Sequence, residues 1–206
     1  MTLVTDISQL EALYGSISEP ALIKVSDQLT KQYQRLIEAA PFVVLATTGP
    51  DGLDCSPRGD AGQVVLIQDQ KTLLIPDRPG NNRLDSLRNL VLNSQIALLF
   101  LIPGTNTTLR VNGTAVISID PDLLKAHTVN GKAPRTVIII TIHEIYFQCT
   151  KALKRAGLWD PERIHAADGL PSPGEIMQEL KENFDGKVMK QTDKSLQNKP
   201  YGQSHG

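Results

Sequence analysis

The chain of 206 residues holds only two cysteines, Cys55 and Cys149, too few for a disulfide framework, and they read as reduced core thiols. Long hydrophobic runs are missing as well. No stretch approaches the roughly 20 apolar residues that span a bilayer. Met1-Thr2-Leu3-Val4-Thr5-Asp6 lacks the basic-then-apolar order of a signal peptide, so a cytoplasmic location with no membrane contact is expected. Nor is there an excess of one charge: 21 Lys+Arg stand against 22 Asp+Glu, a formal net charge of -1. That excludes a whole-protein attraction to nucleic acid or anionic lipid. The G-x-S-x-G, H-E-x-x-H and G-x-x-x-x-G-K-[ST] patterns are absent. His127, His143, His165 and His205 show no metal-ligand spacing, and neither cysteine has an activating neighbour. No metal site is expected, and no acid, base or nucleophile stands out.

What is present is an ordinary globular composition, 40% hydrophobic and 21% charged. Between Pro20 and Ala40, apolar residues at Leu22, Val25, Leu29, Tyr33, Leu36 and Ile37 predict a helix closed by Pro41. The period then changes. Phe42 to Thr47 and Leu53 to Pro57 flank Gly49-Pro50-Asp51-Gly52, which reads as a hairpin. Val64 to Ile67 and Thr72 to Ile75 follow, so four strands within about 35 residues predict an antiparallel meander. Arg83 to Leu92 reads as a short amphipathic helix. Gln95 to Ile102, Leu109 to Ile119 with a bulge at Gly113, and Arg135 to Gln148 read as strands. Short helices are expected at Asp120-Pro121-Asp122, in the Lys-Ala-Leu-Lys-Arg segment after Cys149, and from Pro173 to Phe184. The polar chain from Lys187 onward is expected to fray. The organisation is a helical extension over 1–40, a β-barrel over 41–160, and a helical segment with a polar tail over 161–206. The fold class is mainly β with helices, an antiparallel α+β barrel of six to seven strands.

Three segments could carry chemistry. Ser56-Pro57-Arg58-Gly59-Asp60 ends a strand; its glycine allows close backbone approach and its arginine offers a planar fork to phosphate. Taken alone it is more simply a surface turn with an Arg–Asp pair. Pro76-Asp77-Arg78-Pro79-Gly80-Asn81-Asn82-Arg83 leads into a helix, whose N-terminal N–H groups favour anions. Asn82 is expected to cap that helix. Arg83 is a cation where the helix dipole disfavours one, which an anion there would explain. Rigid loop and anion site are evenly matched on this segment. In Lys151 to Trp159 three basic residues lie close to the only tryptophan, suited to a flat aromatic cofactor but equally to a solvated helix face.

In this order, these segments resemble the pyridoxamine 5'-phosphate oxidase-like family of FMN-binding split barrels, in its FMN-dependent branch of uncharacterised activity. The residues carrying the resemblance are Phe42 to Thr47, Ser56 to Asp60, Pro76 to Asn89, Leu109 to Gly113 and Lys151 to Trp159. The resemblance implies a homodimer with FMN at the subunit interface and a small-molecule substrate. It implies that Arg58, Asn82 and Arg83 hold the FMN phosphate, that the strand ending at Leu74, Pro76 and Asp77 lines the isoalloxazine, and that Pro57, Gly59, Asp60 and Arg78 also belong to the cofactor site. Arg110 would stand nearby, and Lys151, Arg155 and Trp159 would come from the partner subunit. The implied function is that of an FMN-dependent oxidoreductase. Alternatives on the same fold are an F420-binding reductase and a non-catalytic flavin- or heme-binding protein. Arg163-Ile164-His165 follows Trp159 at a shorter spacing than the family's Arg-x-His substrate motif, which argues against vitamin B6 oxidation.

Overall fold

The computed structural model describes residues 2–165 and 169–181. Three helices come first: α1 (Ile7–Tyr14), α2 (Glu19–Ile23) and α3 (Lys31–Glu38). The single helix expected from Pro20 to Ala40 is therefore two. Ser26 interrupts it by pairing with Ile145: its N–H donates to the Ile145 carbonyl and its carbonyl accepts from the Ile145 N–H. The Ser26 hydroxyl, engaged with the Gln28 backbone, offers the chain an alternative to helical bonding. The Thr30 hydroxyl then accepts the Tyr33 N–H and restarts the helix as α3. Only α3 of the three reaches the core, burying Tyr33 and Ile37.

Seven strands follow: β1 (Phe42–Gly49), β2 (Gly52–Gly59), β3 (Leu66–Ile67), β4 (Thr72–Asp77), β5 (Gln95–Leu101), β6 (Thr108–Ser118) and β7 (Thr136–Gln148). They form one antiparallel sheet in the order β2-β1-β5-β6-β7-β4-β3, the split-barrel architecture that the sequence implies. The first four strands are not a meander. They are two hairpins at opposite ends of the sheet, because β1 takes β5 as its second neighbour and β4 takes β7. Strict alternation on β1 and β5 sends Val43, Leu45, Ile96, Leu98 and Phe100 into the core. The mid-strand bulge falls at Asn112/Gly113, as expected. A Cβ on Gly113 would stand 2.0 Å from the Thr141 carbonyl oxygen, so only glycine lets β6 and β7 approach there.

Between strands lie α4 (Asp85–Leu92) and α5 (Pro121–Ala126), and after β7 come α6 (Lys151–Ala156), α7 (Pro161–His165) and α8 (Pro173–Leu180). Helix α4 packs on β1, where the Asn89 amide donates to Thr47 Oγ1 at 3.2 Å and Ser86 Oγ donates to Asp54 on β2. The expected C-terminal helix stops at Leu180, and the polar tail from Lys187 lies outside the described residues. No helix among the described residues is long and apolar enough to cross a membrane.

Curling brings the two ends of the sheet face to face. Pro57 sits on the edge strand β2, and Pro76 lies on β4 beyond the last residue paired with β3. Neither proline has an N–H to donate. Side chains bridge the gap instead: Arg58 Nη1 reaches Asp77 Oδ1 at 2.6 Å, and Arg78 Nε reaches Asp60 Oδ2 at 3.1 Å. Two crossed Arg–Asp pairs thus join β2 and its following turn to β4 and its following loop.

Candidate functional site

The crossed pairs stand between two concavities. One, of about 220 Å³, is walled by Pro57, Gly59, Asp60, Gln63, Pro76 and Arg78. The other, also about 220 Å³, lies between the 78–84 loop, the start of α4 and the start of β7. Arg58, Arg78 and Pro79 line both. The pairing differs from the local Arg–Asp turn read from Ser56 to Asp60. Each arginine crosses the gap to the other segment's aspartate.

In the second concavity four arginines converge: Arg58, Arg78, Arg83 and Arg135. Three are neutralised, Arg83 by Asp85 at 2.5 Å. That contact holds the Arg83 guanidinium above its already high ordinary value, so it is a permanent cation. Arg135 has no carboxylate partner among the described residues; its Nη1 donates to the neutral Asn82 Oδ1 at 2.7 Å. The concavity therefore carries surplus positive charge. Two buried polar atoms there have no hydrogen-bond partner among the described residues: Arg58 Nε and Thr136 Oγ1. Leaving such atoms unpaired costs on the order of 1–3 kcal/mol each, and an oxyanion could accept from both. Arg58 is well placed to give such a bond, since Asp77 occupies only its Nη1.

Asn82 does not cap α4, contrary to expectation. It adopts the left-handed conformation, φ 59°, with its side chain turned to Arg135. The Arg83 N–H bonds to Asn81 Oδ1, delaying the helix to Asp85. The N-cap, Leu84, has no side-chain capping bond, so the first N–H groups of α4 stay open beside the concavity that Leu84 and Leu87 line. The dipole conflict inferred for Arg83 is relieved by Asp85, an acid of the first turn.

Of the residues singled out in the sequence, Pro57, Arg58, Gly59, Asp60, Pro76, Asp77, Arg78, Asn82 and Arg83 line one concavity or both. Leu74 is buried, 4% exposed. The remaining four lie elsewhere. Arg110 lines a separate hollow of about 470 Å³ on the outer face of the sheet, with Val44, Ala46, Leu99 and Leu101. Helix α6, which carries Lys151 and Arg155, walls that hollow through Ala152 and Leu153. Trp159 Nε1 donates to the Thr105 carbonyl at 2.7 Å. Both cysteines are exposed and line the same hollow, so they are not core thiols. Cys55 takes an outward position on edge strand β2, and Cys149 follows the last residue of β7. Arg135 and Thr136 were missed from the sequence, since the β4–β7 pairing alone sets them beside Asp77.

A family model described as pyridoxamine 5'-phosphate oxidase matches residues 29–149. No curated protein matches. Among solved structures, the chain is similar to HupZ of Group A Streptococcus, with 22% identity over 58% of this chain and 93% of that one, TM-score 0.47. It is also similar to general stress protein 26 of Bacillus anthracis, at 18% identity over 55% and 88%, TM-score 0.43. A third is the FAD binding protein of Mycobacterium smegmatis, at 13% identity over 60% and 97%, TM-score 0.41.

Proposed function

Since the chain belongs to the pyridoxamine 5'-phosphate oxidase family, we propose that the four-arginine concavity binds the phosphate of FMN and that the protein is an FMN-dependent oxidoreductase. The observation that carries this reading is the pair of orphaned, buried donors, Arg58 Nε and Thr136 Oγ1, in a cleft with unneutralised charge on Arg135. A phosphate dianion matches that donor set: guanidinium groups, a hydroxyl and the uncapped start of α4. FMN, when bound, would supply hydride or electron transfer to a small-molecule partner.

The chain's own contribution is binding and orientation. Asp77 engages Arg58 through Nη1 alone, which leaves Nε unpaired for a phosphate, and Arg135 donates to Asn82 in the turn that lines the cleft. The carboxylates that line the cleft, Asp60 and Asp77, are tied to Arg78 and Arg58, which supports positioning and electrostatics as the protein's means. The sheet's outer hollow carries Arg110 and α6, on surfaces apart from the phosphate concavity. A second copy would bring its Lys151, Arg155 and Trp159 to the first copy's flavin, giving a homodimer with two equivalent sites.

The test is a fluorescence titration of FMN against the Arg83→Ala/Arg135→Ala double variant, which leaves the Arg58–Asp77 pair intact. At least about a 100-fold weakening is expected for two lost charge-assisted bonds, with an unchanged far-ultraviolet spectrum. Unchanged affinity would sink the phosphate assignment. Parallel titration with F420 and FAD identifies which flavin the cleft prefers.

A further inference from the structure

Residues 2–20 are exposed throughout, and the first buried side chain is Leu29. Yet this arm is not polar. Leu3, Val4, Ile7, Leu10, Leu13, Tyr14, Ile17, Leu22 and Ile23 are each at least 46% exposed. Ile7, Leu10, Leu13 and Tyr14 fall along one stripe of α1, which buries no residue. An eight-residue helix without packing is marginal in water, so α1 requires something to lie on.

The same chain holds a matching surface. The outer hollow is walled by Val44, Ala46, Ala97, Leu99, Leu101 and Leu153. Beside it α6 presents exposed Lys151, Lys154 and Arg155. The arm has the opposite charge: Asp6, Glu11 and Glu19 precede its first basic side chain, Lys24.

From this complementarity we infer that the arm of one subunit docks in the outer hollow of a second copy, its acidic residues facing Lys154 of that copy's α6, the cation of that helix not directed at the flavin. The inference rests on the two-subunit reading above and adds a role for residues 2–25. The arm clamps the partner's α6, the segment that closes the arm's own flavin site, so each site is completed by an exchange of segments.

The hollow contains its own reporters, Cys55 and Cys149. Full-length Ile7→Cys, Leu10→Cys and Leu13→Cys variants are oxidised with diamide and run on non-reducing gels beside wild type. A species of twice the chain mass is expected from at least one variant and not from wild type, with peptide mass mapping that joins the introduced thiol to Cys55 or Cys149. Leu10→Glu/Leu13→Glu should raise the dimer dissociation constant at least about 100-fold in sedimentation. A link within one chain, or no link from any variant while wild type sediments as a dimer, overturns the arm's docking and leaves the shared flavin site standing. A monomeric wild type overturns both.

Discussion

Arg58 does two things at once. Its Nη1 ties β2 to β4 through Asp77, and its Nε is left buried and free. Arg58→Lys keeps the charge and loses the fork; FMN affinity should fall about tenfold or more by fluorescence titration. Asp77→Asn leaves the half-buried guanidinium short of a counter-charge. It should lower unfolding free energy by about 2 kcal/mol in urea, and an unchanged midpoint would contradict that. Tyr33 allows a pH prediction. Burial pushes its phenol above the ordinary value, and its hydroxyl donates to the Lys24 carbonyl at the base of the arm. The folded state thus favours the neutral phenol. That stabilisation is complete below the unfolded value of about 10 and is lost as pH rises through the higher folded value. Tyr33→Phe should flatten the alkaline decline in melting temperature. At this scale Arg58, Arg78 and Arg83 were legible, because arginine beside glycine, proline and asparagine is a local signal. Arg135 was not, since its partner Asn82 lies 53 positions away.

Elements were legible wherever their own period decided them. The β1–β2 hairpin, the Gly113 bulge and the short α5 follow from turn chemistry, a glycine and a capping aspartate. The stretch from Pro20 to Ala40 misled because its apolar spacing runs through Ser26, whose backbone is taken by Ile145. No periodicity reports a bridge to a strand over a hundred residues on. The Asn82 cap misled for a similar reason: a good capping residue was already held elsewhere. Gly113→Ala tests the closest of these contacts. With backbone oxygen 2.0 Å from the added carbon, β6 and β7 must part, and stability should drop by more than about 2 kcal/mol in chemical denaturation. A neutral substitution would mean that the bulge can slide.

For the whole molecule, the barrel class was legible from strand number and length, and the strand order was not. Two hairpins read as neighbours because they are neighbours in sequence. Only the pairing of β1 with β5 and of β4 with β7 separates them. The concavity inherits that distance, being made where the far ends of the sheet meet. Occupancy should therefore couple to closure. FMN at saturating concentration should raise the melting temperature of wild type, by an amount that grows with the logarithm of free ligand. No such shift in Arg83→Ala/Arg135→Ala is expected.

The strand order also has a consequence on the ribosome. Strand β4, Thr-Leu-Leu-Ile-Pro-Asp, pairs with residues 136–141, which are synthesised only after β5 and β6. At roughly 5–20 residues per second, the β3–β4 hairpin waits for seconds with its longer edge bare. Through that interval its Leu73, Leu74 and Ile75, all buried in the finished protein, are open to any other nascent strand nearby. The part of the chain that closes the four-arginine cleft is therefore one that gains from a chaperone during translation.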